Sequence, residues 1–160
     1  MEKDFLHLLN IHRGILYKVC NLYLDNVEDR QDLFQEIVLQ LWKAFPSFRN
    51  ESAPSTWMYR VALNTAISNF RKRGKEGKKI ELTASELQVP DVRYDDEINE
   101  LAIRLREAIE CLNAIEKAII LLYLDERSYT EIAAITGISL SNVGVKINRI
   151  KSKLKTIINH

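Results

Sequence analysis

The sequence predicts an all-α fold of two small helical domains joined by a flexible linker. Apolar residues recur at intervals of three and four over most of the 160 residues, as on one face of an α-helix. Only five glycines and three prolines are present, too few for a fold of many short strands and turns. The content of 46% hydrophobic and 28% charged residues is typical of a globular chain and excludes a disordered one.

Three helices are expected in the first 72 residues. Apolar residues repeat at helical spacing from Phe5 to Leu24, and again from Leu33 to Phe45, where Pro46 ends the pattern. A third helix should run from Pro54 to about Arg71, with Ser52 as a candidate cap.

Periodicity is lost over residues 72–97 and returns at Ile98. Asn113 with Glu116 three residues later marks a helix start, and Ser128 followed by Glu131 has the spacing of a capping box. We therefore expect one domain at residues 1–75, a linker at 76–97 and a second domain at 98–160.

Charge is distributed in blocks, although the net charge is only +1. Residues 61–79 carry six basic and one acidic side chains, and residues 132–160 carry five basic and none acidic. Residues 80–131 between them carry five basic and thirteen acidic side chains. Two basic blocks separated by an acidic one favour two contacts with a polyanion such as nucleic acid over chance clustering of surface charge.

Several classes of protein are disfavoured. Cys20 and Cys111 have no metal-ligand spacing, and we expect both to be reduced and buried. His7, His12 and His160 likewise show no ligand pattern, so neither a metal nor another cofactor is expected. The sequence has no signal segment and no apolar run long enough for a bilayer, which predicts a cytoplasmic protein without membrane insertion.

The sharpest motif lies at residues 128–154. A short helix at 129–136 precedes Gly137, which supplies a left-handed turn, and Ser139 can cap a second helix. This is the spacing of a helix-turn-helix. One stripe of the second helix is apolar; another carries Asn142, Lys146, Arg149 and Lys153, which can lie along a major groove. An amphipathic helix with a solvated basic side is the less favoured alternative.

A second polar stripe lies on the helix that begins at Pro54. It carries Trp57, Arg60, Asn64 and Arg71 at helical spacing. An aromatic ring beside guanidinium and amide groups suits unstacked bases. A core position for Trp57 is equally compatible with the sequence.

Three segments of the sequence resemble a known family. DLFQEIVLQLWKAFPSF (32–48) and STWMYRVALNTAISNFRKRGK (55–75) resemble region 2 of the sigma-70 family of RNA polymerase sigma factors. SYTEIAAITGISLSNVGVKINRIKSKL (128–154) resembles region 4 of the same family. The short chain with a bare linker resembles the extracytoplasmic-function (ECF) class. The resemblance implies a factor that binds core RNA polymerase, recognises −10 and −35 promoter elements, initiates transcription and pairs with an anti-sigma factor.

The resemblance also implies roles for particular residues. Asp32, Gln35, Glu36 and Trp42 match the helix that docks on core polymerase. Phe48 and Arg49 match the loop that captures a flipped −10 base, and Trp57, Arg60, Asn64 and Arg71 match the helix beside it. Ser139, Ser141, Asn142, Lys146, Arg149 and Lys153 match the helix that reads the −35 element. Gly144 and Val145 depart from the family's usual residues at DNA-facing positions.

Two other functions were compared with this one. A stand-alone helix-turn-helix repressor would need a symmetric dimer, and the sequence shows no exposed apolar heptad run. A metal-dependent nuclease using Asp29, Asp32 and Glu36 is disfavoured, because these acids lie at a helix start and no histidine lies near them in the sequence. We therefore expect a protein that is not an enzyme, with no catalytic residues.

Overall fold

A computed structural model describes residues 1–75 and 96–159, with the backbone alone for Lys75 and residues 96–98. The helices are α1 (Glu2–Tyr23), α2 (Val27–Ala44), α3 (Pro54–Lys75), α4 (Asp96–Glu110), α5 (Ala114–Leu124), α6 (Tyr129–Thr136) and α7 (Leu140–Ile158). A short 3₁₀ turn, Phe45–Ser47, follows α2. The described part of the chain contains no strand, so the all-α prediction is confirmed.

The helices divide into two compact units. The first unit contains α1, α2 and α3, which pack on one another in every pairing. The second contains α4, α5, α7 and the first five residues of α6, with α4 and α5 both packed on α7. The predicted linker at 76–97 lies outside the described residues except at its end, where α4 already begins at Asp96.

The core of the first unit forms along one stripe of each helix. Leu33, Ile37 and Leu41 are buried at steps of four on α2. From α1 and α3 the fully covered side chains include Leu16 and Tyr59. Burial of each large apolar side chain contributes roughly 1.5–3 kcal/mol, which is why the periodic positions fix the helix faces. An ion pair between Arg73 Nη1 and Asp29 Oδ2, 3.1 Å apart, joins the end of α3 to the start of α2.

Local capping chemistry sets several helix starts. The Asn26 side chain accepts hydrogen bonds from the backbone N–H groups of Glu28 and Asp29, at 2.8 and 3.2 Å. Asn113 and Glu116 form a capping box at the predicted start of α5. Helix α3 begins at Pro54 as predicted, but the residue directly before it is Ala53, so Ser52 does not occupy the N-cap position.

The two cysteines lie in different environments. Cys20 is buried within α1, as expected, and burial raises the pKa of its thiol to about 11. Cys111 is exposed, so the prediction that both are buried is wrong for this residue. It directly follows the end of α4, and its apolar sequence neighbours Ala108 and Leu112 take the core positions instead.

Candidate nucleic-acid and protein interfaces

The first candidate surface is the outward face of α2. Asp32, Gln35 and Glu36 are exposed and share this face at helical spacing. Leu39, 44% exposed, lies on the same face one turn later. Gln40 Nε2 donates a hydrogen bond to Glu36 Oε1 at 2.9 Å, which holds that carboxylate along the helix. The face therefore combines acidic, amide and apolar groups, and such a face suits a partner that is basic at its rim and apolar at its centre.

Trp42 lies at the edge of this face and has two roles. Its ring contacts the ring of Phe5 edge-on, with centroids 5.1 Å apart, which ties α2 to α1. The side chain is nevertheless 38% exposed. A ring that is fixed on one side and open on the other is a rigid apolar contact for a partner.

The second candidate surface begins at the loop after α2. Phe48 stacks on Trp57 with ring centroids 4.6 Å apart and an interplanar angle of 23°. Trp57 is only 8% exposed and also lies against Phe45, so the structure places its ring in the core. Arg49 is exposed, and the next residue, Asn50, has a φ of 56° that turns the loop back towards α3.

The exposed face of α3 carries Arg60, Asn64 and Arg71. Arg71 lies near Tyr23, whose phenol pKa is raised by burial and partly lowered again by the Arg71 charge. The structure therefore separates the predicted stripe into a covered ring at its start and three exposed polar groups after it. Arg60 Nε and Nη2 donate hydrogen bonds to the Ala134 carbonyl at 3.3 and 3.0 Å, so this guanidinium is partly occupied, whereas Asn64 and Arg71 offer an amide and a positive charge to a ligand.

The third candidate surface is built on the α6–α7 pair. Gly137 has a φ of 77°, the left-handed conformation expected in the turn. Ser139 then caps α7, accepting a hydrogen bond from the Asn142 N–H at 3.4 Å. At the start of α6, Ser128 Oγ accepts from the Glu131 N–H at 3.1 Å. One cap therefore lies at the start of each helix of the pair, and the turn at Gly137 joins them.

Helix α7 has a buried face and two charged flanks. Val143, Ile147, Ile150 and Leu154 are buried, while Asn142, Lys146, Arg149 and Lys153 are exposed along one flank. Lys153 Nζ lies 3.2 Å from Glu116 Oε1 on α5. On the opposite flank, Lys151 Nζ lies 4.3 Å from the centroid of the Tyr123 ring, and a hydrogen bond to Tyr123 raises the pKa of this lysine.

Directly opposite the buried face lies a row of uncharged side chains, which we call the outward ridge: Ser141, Val145, Asn148 and Ser152. All four are exposed. At roughly 100° per residue they lie about 140–200° around the helix axis from Val143. Beside the ridge, a Cβ added at Gly144 would lie 3.5 Å from Cε2 of Tyr129, so the Tyr129 ring covers the backbone there.

Two family models match successive segments of the chain. The model described as Sigma-70 region 2 matches residues 8–76, and the model described as Sigma-70, region 4 matches residues 102–154. The ECF RNA polymerase sigma factor SigW of Bacillus subtilis is 27% identical over 96% of this chain and 88% of its own. The ECF RNA polymerase sigma-E factor of Escherichia coli is 29% identical over 79% and 72%. This chain belongs to the ECF class of the sigma-70 family.

Solved structures of sigma factors have the same fold. The sigma factor RpoE of Bartonella quintana, in complex with the anti-sigma factor NepR, superposes with a TM-score of 0.71 at 22% identity, covering 99% of this chain and 96% of that one. CnrH, in complex with the cytosolic domain of CnrY, gives 0.70 at 21% identity, covering 99% and 90%. The two small helical domains expected from the sequence therefore match the sigma-factor architecture.

Family membership decides between the functions considered. A sigma factor acts in transcription initiation and is not an enzyme, and the repressor alternative is not favoured by two ordered sigma-70 matches. The Asp29 carboxylate, once considered for a nuclease, is paired with Arg73. Within residues 1–75 and 96–159, no helix combines the length and apolar character needed to cross a membrane.

The sigma-factor fold gives the predicted site residues different environments. Asp32, Gln35 and Glu36 share one exposed face, whereas Trp57 is covered by Phe48. Sequence reasoning named Ser141 and Val145 but missed Asn148 and Ser152, and so did not recognise the outward ridge as one surface. Helical periodicity could have identified this row, because these positions lie opposite the apolar stripe of Val143, Ile147, Ile150 and Leu154. The row carries no charge, whereas the neighbouring stripe is basic.

Proposed function

We propose that this sigma factor binds core RNA polymerase in the cytoplasm and directs it to promoters with −10 and −35 elements. The carrying observation is the ordered match of region 2 and region 4 to two separate helical units. Each unit exposes polar side chains on a rigid helix, as a recognition surface requires. We assign binding of core polymerase and of the −10 element to residues 1–75 and binding of the −35 element to residues 98–160, with residues 76–97 as the linker.

Contact with core polymerase is assigned to α2. Asp32, Gln35 and Glu36 offer carboxylates and an amide, and Trp42 offers a fixed ring edge beside them. Leu39 adds an exposed apolar contact between these groups. A partner surface with basic groups around an apolar centre would be complementary in charge and shape.

Contact with the −10 element is assigned to the loop after α2 and to α3. Arg60, Asn64 and Arg71 can follow a phosphate backbone or bond to base edges. Phe48 and Arg49 border this face, and the stack of Phe48 on Trp57 fixes the start of the loop. Trp57 supports the loop from beneath, since a ring covered by Phe48 has no open face for a base.

Contact with the −35 element is assigned to α7. Ser139, Ser141, Asn142, Lys146, Arg149 and Lys153 are all exposed along it. Lys153 contributes partly through Glu116, which lies 3.2 Å away and offsets some of its charge. The remaining cations on this flank, Lys146 and Arg149, suit phosphates that border a groove.

We also propose that an anti-sigma factor binds this chain. The sigma factors with similar folds were solved with the anti-sigma factor NepR and with the cytosolic domain of CnrY. Exposed apolar groups on the first unit, including Leu6 at 49% and Tyr17 at 51%, could be covered by such a partner.

The proposal is tested by assembly with core polymerase. The purified chain mixed with core RNA polymerase should co-elute with it on gel filtration and enable initiation from double-stranded promoter templates. Core polymerase alone, on the same templates, is the control. Separate elution of the two components, with no initiation above core alone, would contradict the proposal.

A further inference from the structure

We infer that Asn148, on the outward ridge of α7, reads an adenine in the −35 element. This inference rests on the proposed function, because it names a base contact made by the same helix. It assigns a specificity-determining role to a residue outside the basic stripe of Asn142, Lys146, Arg149 and Lys153.

The contacts of α7 within its unit fix which of its sides faces outward. Val143, Ile147 and Ile150 are buried on the inner side of the helix, and both α4 and α5 pack on α7. Its two flanks are marked by contacts with one helix, α5: Lys153 with Glu116 and Lys151 with Tyr123. The side facing away from the rest of the unit is therefore the outward ridge.

The outward ridge and the flanks of α7 differ in charge. When a helix enters the major groove, the side turned away from its own domain meets the base edges, and the flanks run beside the phosphates. The ridge is uncharged, whereas Lys146, Arg149 and Lys151 lie on the flanks. A row of uncharged hydrogen-bonding groups between two rows of cations is the arrangement expected for a helix that lies in a major groove.

The chemistry of the Asn148 side chain indicates which base it would contact. Within the ridge, Asn148 has the one side chain with both a carbonyl acceptor and an amide donor on a single planar group. This group matches adenine, whose N6 donates and whose N7 accepts in the major groove. Val145, 45% exposed and one turn earlier, adds methyl groups that suit the thymine C5-methyl of an A·T pair.

The test uses the holoenzyme and a matched pair of variants. Asn148→Ala removes the proposed reader, and Asn142→Ala removes the same side chain from an exposed flank position of the same helix. Holoenzyme containing each variant is incubated with promoter templates whose −35 element is randomised, and the bound DNA is sequenced.

With wild-type chain, we expect enrichment of adenine at one or more −35 positions. Asn148→Ala should lower that preference by about fivefold or more at a single position and leave the others unchanged. Asn142→Ala should reduce recovery of all sequences alike. Asn148→Arg should shift the preference at the same position towards guanine, because the guanidinium pairs with O6 and N7.

Three results would overturn the inference. Unchanged base preferences in Asn148→Ala, or an equal loss of adenine preference in Asn142→Ala, would contradict it while leaving the proposed function in place. Absence of any enrichment with wild-type holoenzyme would instead contradict the proposed function, and the inference with it.

Discussion

The two cysteines should differ in reactivity because one is buried and the other is exposed. Cys20 is 2% exposed and its thiol pKa is raised to about 11, whereas Cys111 is exposed after the end of α4. Since thiolate is the reactive form, Cys111 should react rapidly with a thiol reagent at pH 8 and Cys20 only as the first unit opens. Stopped-flow labelling of Cys20→Ser and Cys111→Ser separates the two rates. Equal rates would contradict the assigned burial.

The raised thiol pKa also predicts how stability depends on pH. The unfolded thiol titrates near 9.0 and the folded one near 11, so between these values the unfolded chain loses a proton that the folded chain keeps. The free energy of unfolding should therefore fall as pH rises from 9 to 11. Urea unfolding of Cys20→Ser should show a shallower fall over this range than wild type, and Cys111→Ser should match wild type. An identical slope for all three proteins would count against the burial of Cys20.

Glu126 has an unfavourable backbone conformation. Its φ is 60°, and its N–H donates to the Tyr123 carbonyl while the Arg127 N–H donates to that of Leu122, which is the Schellman arrangement. Glycine adopts this conformation without a Cβ clash, so Glu126→Gly should raise the free energy of unfolding by about 1 kcal/mol. Glu107→Gly, in the exposed interior of α4, should lower it by about as much. Equal signs for the two variants in urea unfolding would refute the assignment.

Residue-level features with a local cause could be predicted from sequence. Asn113 with Glu116, Gly137 and Ser139 act through atoms a few residues away, and the structure confirms each. Trp57 could not be placed, because its burial depends on the Phe48 and Phe45 rings folding over it. The exposure of Cys111 was mispredicted because apolar sequence neighbours do not determine which side of a helix end faces the core.

At the scale of elements, helix faces follow from periodicity, but their relation to neighbouring helices does not. The apolar stripe of α7 was evident, while the position of its basic stripe on a flank became clear only from the contacts with α5. The ion pair between Lys153 and Glu116 joins residues 37 positions apart, which helical spacing within one element does not reveal. The Asn26 cap of α2 was not predicted, although asparagine followed by Glu28 and Asp29 is a typical helix start.

The face of α2 provides an element-scale prediction. Replacing Asp32 and Gln35 with alanine should weaken binding to core polymerase roughly 10-fold or more if these positions include a hot spot of the interface. Both side chains are exposed, so the circular dichroism spectrum and melting temperature should stay close to wild type. The matched control replaces Asn21 and Asp25, which are also exposed and also remove one amide and one acid. Equal affinity of the two double variants for core polymerase would contradict the assignment to α2.

For the whole molecule, the distribution of charge matters more than its sum. The net charge is +1, yet residues 80–131 carry eight more acidic than basic side chains, and residues 132–160 carry five basic and no acidic ones. The division into two units was predicted from the loss of periodicity before Ile98, and the structure gives two such units among the described helices. How polymerase aligns them depends on a partner surface, which a single chain's sequence does not contain.

This charge distribution predicts weak binding of the free chain to duplex DNA. The acidic segment repels phosphates, and each basic surface offers few cations. When polymerase holds both units in place, the second contact becomes intramolecular and the effective concentration rises. Fluorescence anisotropy with a promoter duplex should give micromolar or weaker affinity for the free chain in physiological salt and far tighter binding for the holoenzyme. Nanomolar binding by the free chain would contradict this account and favour a stand-alone DNA-binding protein.

We expect the two units to recognise the −10 and −35 promoter elements together while the chain is bound to core polymerase. The most direct measurement is run-off transcription from a matched set of templates: the intact promoter, one with the −10 element replaced, one with the −35 element replaced, and one with the spacing between them altered. We expect full-length transcripts from the intact promoter and a strong loss from each of the other three. Equal transcription from all four templates, or from core polymerase without this chain, would contradict it.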